Sequence, residues 1–539
     1  MNKKILNGVN QLADTVKVTL GAKGKTVMFR SPKTTRTLIT KDGVTVAKEV
    51  RAEDETEQMA IEIVREASER TVKSSGDGTT TTLVLAQYLI NKGAELLERG
   101  EISYYELSNQ LEAAKEKVIK LIEEHSISIE DDFDKLFDVA SVSSNSRDIG
   151  DYIYKIMKEI GLYGHIEVKA SKASKTRVEQ VNGIRYNRGY YAPQFLNDFK
   201  KMEWRVTDAY IVMVDDTIRT MNDIYPYIYE VNRGREEHNK DQLVHNHPIL
   251  FIVNEVEPTI LNTLINNKTM NQNMMNIMIT EHDGFGDRKM EIMNDIAALT
   301  GCIPGDFTDN PGMIGRATEI IVDEDYTSII GGSADEQTVN ELIAITQQRL
   351  EDPNLSDNDR VYYKRRLATL AGGVAVIHVG APTEVEMREK KDRIDDAVEA
   401  VKAAIDRGVT IGGGYTFLQI ALTLTTLDTT MGATLLSGAL QAPFLQLCKN
   451  ASIPEAVANE YSKKISLSDS NLGLDVIDNM LKPLTEYNVY DPAGVLIDSL
   501  SNAISVAKNI LSIEAVIEPI NYSKALGGAE SAFPPGYPL

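Results

Sequence analysis

The chain has 539 residues, 42% hydrophobic and 25% charged, with a formal net charge of −22; that length exceeds what one core organises and predicts two to four domains. The acidic balance excludes nonspecific nucleic-acid binding, which needs Lys and Arg against phosphates, and no stretch reaches the roughly 18 consecutive apolar residues of a membrane span. Its two cysteines, Cys302 and Cys448, form no paired motif, which argues against a disulfide or zinc framework and fits a reducing, cytoplasmic setting. The first stretch, MNKKILNGVNQLADTVKVTL, lacks the long apolar core of a signal peptide. TLITKDGVTVAKEV follows, with two short strand-like runs flanking Asp42-Gly43; this predicts a hairpin with Asp42 in its turn. EQMAIEIVREASERTV places Ala60, Ile63, Val64 and Ala67 on one helical face. LVLAQYLINKGAELLERG reads as a helix ending at Gly100, and YELSNQLEAAKEKVIKLIEEH as another amphipathic helix. Between about 183 and 373 the texture changes. DAYIVMVDD, HPILFIVNEV and MNIMIT suit buried strands, with helix-like IYPYIYEVN and TILNTLINN between them. This predicts a separate α/β domain. REEHNKDQLVHNH, from Arg235 to His247, reads as an exposed connection. EVEMREKKDRIDDAVEAVKAAIDRG then predicts one long helix, followed by the glycine turn and helix of VTIGGGYTFLQIALTLTTL. The tail LGGAESAFPPGYPL reads as flexible. The fold class expected is a multi-domain α and α/β protein, a helical domain interrupted by an α/β insertion.

The stretch KSSGDGTTTTLVLAQ, Lys73 to Gln87, carries the clearest chemical signal. Threonine is a mediocre helix former, yet four of them, Thr79 to Thr82, open a helix after two glycines. Hydroxyl capping of a helix junction is one reading. An anion site is the other: a helix N-terminus offers free N–H groups, and glycines permit close approach. Asp77 beside phosphate is repulsive unless a hard cation lies between, as Mg²⁺ does in nucleotide sites. The terminal Gly-Lys-Ser/Thr of a Walker A loop is absent. Two more glycine-rich turns, VTLGAKG and TIGGGY, fit a composite nucleotide pocket. Helical periodicity alone sets Asp396 opposite the face of Ile394, Ala397, Val398, Val401 and Ile405, as a solvated carboxylate. Asp491, before a proline, reads as a turn residue. These patterns by themselves yield no reaction.

VKVTLGAKGKTV, TKDGVTVAKEV, GDGTTTTLVLAQ, GFGDRK, AGGVAVIHVGAPTEVEMREKKDRIDDAVEA, RGVTIGGG and YDPAGV occur in one order. Together they resemble the group I chaperonins, the bacterial sixty-kilodalton type, over about residues 10 to 520. The resemblance implies a nested subunit: an equatorial ATPase domain of 1–126 and 407–539, an intermediate domain of 127–182 and 375–406, and an apical domain of 183–374. Gly183, Gly373 and Gly408 match hinge positions, while Ile129 stands where a proline is usual. It implies an ATP-driven folding chaperone in seven-membered rings, single or stacked, using Mg²⁺ and K⁺, acting on non-native polypeptides. A passive client-holding scaffold is the alternative.

The resemblance assigns Thr19, Leu20, Gly21 and Ala22 (usually proline) to a first phosphate loop, and Lys41 to a lysine beside the phosphates. Asp77 matches the Mg²⁺-associated acid, and Gly78, Thr79, Thr80 and Thr81 the phosphate cradle; Thr82 stands where alanine is typical. Gly413 matches the purine-side turn, Asp491 the ribose-side acid, and Asp475, Val476 and Ile477 the base-binding segment, bulkier here than Asn-Ala-Ala. Asp396 matches the acid that positions the attacking water and Asp42 a second acid near the γ-phosphate, which reverses the pattern-based reading of Asp396. Tyr190, Phe195, Tyr225, Ile228, Leu261 and Ile265 match polypeptide-contacting positions. A lid-like co-chaperonin uses overlapping residues in the family; Gln194 and Asn266, where Tyr and Val are usual, depart from that pattern, as does the missing Gly-Gly-Met tail.

Overall fold

The structure is a computed structural model that describes all residues except 1, 31–36, 131, 172, 182, 200, 237–246, 271–275, 308–311, 333–335, 353, 373, 467–471, 487 and 518–539. The connection expected within 235–247, the hinge glycine Gly373 and the C-terminal tail therefore lie wholly or largely outside the described residues. The chain divides into two units, one of Met1–Tyr154 with Asp392–Leu539 and one of Lys155–Lys391. The second is thus inserted in the first. No described helix is long and apolar enough to cross a membrane.

The first unit is built on long helices: Lys3–Val16, Glu55–Ser75, Thr79–Glu98, Tyr104–Glu124, Tyr415–Leu427, Met431–Asn450 and Ala493–Leu511. Several of their starts are fixed by short polar side chains that take up otherwise orphaned N–H groups. Asp54 accepts from Thr56 and Glu57, Ser103 from Glu106, and Thr430 from Ala433. Leu12, Val16, Ile61, Val64, Leu83, Leu89, Leu107, Leu111, Leu440, Leu500 and Ile504 meet in one core drawn from both ends of the chain. A smaller cluster of Leu418, Phe444, Cys448, Ile465 and Leu474 supports the hairpin Leu472–Asp475 with Met480–Pro483.

The hairpin expected around Asp42 lies elsewhere. Its strands are Val27–Arg30 and Thr37–Thr40, with Val27 opposite Thr40. Asp42 is instead the N-cap of a short helix, Gly43–Glu49, and its carboxylate accepts from Val44 at 3.0 Å and Thr45 at 2.8 Å. The β-branched run misled because so short a stretch satisfies either period. An N-cap carboxylate and the burial of Val46 and Ala47 decide for helix.

The second unit holds a six-stranded mixed sheet in the order Ile277–Glu281, Ile249–Val253, Trp204–Met213, Gly315–Val322, Thr327–Gly332, Gly183–Tyr186. The first three strands are parallel to one another and the rest pair antiparallel. Ile249–Val253 is buried along its whole length, as expected of a central parallel strand. A second sheet sets Val374–Val379 between His165–Ala170 and Arg177–Val181. Both cysteines are free and buried, Cys448 in the first unit and Cys302 in the second.

Candidate functional site

All the residues expected to meet nucleotide belong to the first unit. The central element is the loop between helices Glu55–Ser75 and Thr79–Glu98. Gly76 ends the first helix in the left-handed region at φ 71°, and Gly78 opens the second at φ 101°. Both conformations favour glycine, and both glycines also lack room for a side chain. A Cβ on Gly76 would collide with Glu399 of the helix Glu384–Arg407, and one on Gly78 would come within 2.5 Å of Ser499 Oγ. The turn is thus clamped between two helices.

Other segments converge on this loop. Thr19 Oγ1 lies 3.5 Å from Thr80 Oγ1. A Cβ on Gly43 would approach Thr80 Oγ1 to 2.5 Å, so the Asp42 cap is packed against the threonines. Gly21 takes φ 77°, and Lys41 Nζ donates to the carbonyl of Ala22 at 3.0 Å, tying the first loop to the Asp42 segment. Burial, with Arg393 nearby, lowers the pKa of Lys41 below its usual value. Asp491 is not in a turn. It lies in the strand Tyr490–Pro492 opposite Thr410, and its carboxylate accepts from the N–H of Gly413. The segment Asp475–Ile477 sits further out. Asp475 accepts from Ile477 N–H at 2.8 Å and pairs with Lys482 at 2.6 Å, Val476 packs on the smaller core, and Ile477 is exposed. Lys23 Nζ to Asn479 Oδ1, 3.1 Å, links that turn to the first loop.

The electrostatics are unusual for a protein interior. Burial and the charges of Asp77 and Asp42 push the Asp396 carboxyl up to about 9. Asp491 is pushed up to about 6 by burial and by Asp77. Asp77 is itself raised, by desolvation and by Asp42, although it accepts from Gly78 N–H. Its side chain is nonetheless exposed to solvent. No described Lys or Arg forms an ion pair with Asp42, Asp77, Asp396 or Asp491. One buried hydroxyl here, Thr79 Oγ1, has no hydrogen-bond partner, while the Ser143 hydroxyl lies beside the Asp77 carboxylate as a donor to it. Buried polar groups are normally satisfied. Among the described residues no three His, Cys, Asp or Glu side chains form a ready metal cage, so a cation here would need ligands from elsewhere, such as phosphate oxygens. The donor set fits that: carboxylates for a hard cation, hydroxyls and helix N–H groups for an anion.

The solvated Asp396 expected from periodicity is therefore corrected. Ile394, Ala397, Val398 and Val401 are buried as predicted, but Asp396 is half-buried among other acids. A helical wheel sees only its own helix, not the loop that packs on the polar side. Sequence reading also missed Ser143, Ser499, Asn502 and the close approach at Gly43. Thr82 now has partners: it is wholly buried, 2.9 Å from Thr71 Oγ1 and 3.0 Å from the Gly78 carbonyl.

The polypeptide-contact positions lie in the second unit and divide. Phe195 is fully buried in its core, which corrects the expectation of a surface contact; the turn Pro193–Phe195 points Phe195 inward and leaves Gln194 outside. Tyr190, Ile228, Leu261 and Ile265 are half-buried against that core. Tyr225 is exposed, and so are Tyr229 one turn on, Phe199 and Met202, none of the last three marked by the sequence.

The profile of the TCP-1/cpn60 chaperonin family matches residues 12–521. Among solved structures, the chain is similar to chaperonin gp146 from the bacteriophage EL 2 (Pseudomonas aeruginosa), crystallised in the presence of ATP-BeFx. One crystal form matches with a TM-score of 0.70 at 20% identity, covering 95% of this chain and 96% of that one. The other matches with a TM-score of 0.64 at 20% identity, covering 96% and 98%.

Proposed function

The chain belongs to the TCP-1/cpn60 chaperonin family, and from that premise we propose that it is an ATP-dependent chaperone whose turnover is carried by the acid and threonine cluster of the first unit. Family membership implies a chaperone role, ring assembly and polypeptide clients; the proposal adds ATP, Mg²⁺ with K⁺, rings of seven, single or stacked, and the three-domain division into equatorial, intermediate and apical parts.

The observation that carries it is the convergence of unpaired acids with the unpartnered buried Thr79 hydroxyl around the Gly76–Gly78 turn. Asp77 would hold Mg²⁺, whose charge offsets the phosphate oxygens and restores the carboxylate form of its neighbours. Thr79, Thr80 and Thr81, the N–H groups at the head of their helix, and Lys41 would hold phosphates. Thr19 to Ala22 and Gly413 would line the two sides, Asp491 the ribose, and Asp475 to Ile477 the base. Asp396 would orient water and receive its proton, with Asp42 beside it; phosphoryl transfer depends mainly on such positioning and electrostatics. Support for client binding is the exposed pair Tyr225 and Tyr229 with Phe199 and Met202, since exposed apolar groups suit non-native chains.

The test measures client release and ATP turnover together. Release that requires ATP, with turnover abolished in Asp396→Ala, supports the proposal. Release that is indifferent to ATP favours the passive scaffold.

A further inference from the structure

Behind the threonine loop lies a chain of hydroxyls that the nucleotide reading does not use. Asn502 Nδ2 donates to Thr71 Oγ1 at 2.9 Å. The Thr71 and Thr82 hydroxyls are 2.9 Å apart, and Thr82 Oγ1 donates to the Gly78 carbonyl at 3.0 Å. Each hydroxyl has one proton. With the Thr82 proton committed to Gly78, the short contact between the threonines needs the Thr71 proton. The Ala67 carbonyl, also within reach of that proton, is further away at 3.3 Å. Taking the shorter of the two back-bonds, 3.0 Å against 3.3 Å, the relay runs from the Asn502 amide through Thr71 and Thr82 to the Gly78 carbonyl. That oxygen also accepts the Thr82 N–H at 2.9 Å and lies 3.4 Å from Ser499 Oγ. Thr71 and Thr82 are wholly buried.

The Gly78 carbonyl belongs to the same peptide unit as the N–H of Thr79. Thr79 is the first residue of its helix, so this N–H has no intrahelical acceptor. Thr79 is 5% exposed, and its buried hydroxyl has no hydrogen-bond partner. Donors that converge on a carbonyl polarise the whole amide and strengthen its N–H as a donor. They also add to the hold that the Thr82 N–H already has on this carbonyl.

We propose that Thr71, Thr82 and Asn502 are positioning residues for anion binding at the head of the helix Thr79–Glu98: their relay orients and polarises the Gly78–Thr79 peptide toward phosphate. The claim rests on the nucleotide reading for the identity of the anion. A threonine that merely back-bonds to its own helix would stabilise the fold and leave ligand affinity alone.

The experiment titrates Mg²⁺·AMP-PNP by calorimetry into full-length wild type, Thr82→Val, Thr82→Ser, Thr71→Val and the Thr71→Val/Thr82→Val pair, with melting curves of each apo protein. Thr82→Val should weaken binding about fivefold, the scale of one hydrogen bond. Thr82→Ser, which keeps the hydroxyl, should stay within about twofold of wild type, and the pair should lose little more than either single change, since a relay breaks once. Equal affinity in Thr82→Val and wild type overturns the proposal, even if the melting temperature falls. So does a Thr82→Ser loss as large as that of Thr82→Val. If Thr82→Val fails to fold, Thr71→Val and Asn502→Leu cut the relay upstream and carry the same expectation. A wild type that does not bind the probe overturns the nucleotide reading itself, and the relay's role with it.

Discussion

The two units treat their clustered acids in opposite ways. In the first, Asp396, Asp77 and Asp491 crowd together with no paired cation among the described residues, and their carboxyls are pushed up. In the second, Glu167 and Glu319 face Arg205, with Lys169 also against Glu319. Burial would raise Glu167, but the nearby His165 and the Arg205 guanidinium, 2.6 Å away, override it and hold the carboxyl down to about 2. Asp295 takes a bidentate bond from Arg366, at 2.8 and 2.9 Å, and still rises to about 6 because burial outweighs the pair. A paired buried acid is self-sufficient and reads as architecture. An unpaired cluster is expensive to keep, and the missing countercharge marks where something from outside is expected.

The contrast is sharpest at Asp396. Asp396→Ala should lower ATP turnover by about 10²–10⁴, the usual yield of a positioned acid or base, while nucleotide binding persists; unchanged turnover in a single-turnover assay would remove Asp396 from the reaction. In the second unit the comparable change breaks architecture. Arg366→Met strands Asp295 and should cost about 3–5 kcal/mol of stability, seen in denaturant unfolding, with Asp295→Asn/Arg366→Met recovering much of it. Removing an unpaired acid should do the reverse. Asp77→Asn relieves repulsion and should raise the apo melting temperature by roughly 2–4 °C, yet weaken Mg²⁺-dependent nucleotide binding; a fall in melting temperature would mean that Asp77 is structural. The smallest effect concerns pH. Glu167 falls from an ordinary 4.5 to about 2 on folding, so its contribution is complete above the unfolded value and lost as pH falls toward the folded one. The stability gap between wild type and Glu167→Gln should stay flat from about pH 5 to 8 and shrink only below. A slope near neutrality would deny the pairing.

How far the sequence carried depended on whether a feature is local. The Gly-Asp-Gly-Thr turn is local: its glycines adopt left-handed angles and its threonines head a helix, as their chemistry requires. The long helix Glu384–Arg407 and the buried strand Ile249–Val253 were legible from period and length. Asp42 was half-legible, since Asp before Gly signals a turn and a helix cap alike. Asp396 was misread from its own wheel because the acids that crowd it come from distant segments. Thr82 was opaque for the same reason: the network that contains it reaches Asn502, 431 positions beyond Thr71. Phe195 shows the converse limit. A matched position transfers a residue's place in the chain, but the direction of its side chain is set by a three-residue turn.

The cysteines carry a last consequence. Burial pushes the Cys448 thiol up to about 12 and Cys302 up to about 11. Native thiolate is then vanishingly scarce, and neither sulfur is open to reagent. Since each unit holds one of the two, the chain carries its own pair of opening reporters. Alkylation at Cys448 times exposure in the helical unit, and alkylation at Cys302 times it in the inserted one. The two clocks can be read separately from a single unmodified polypeptide.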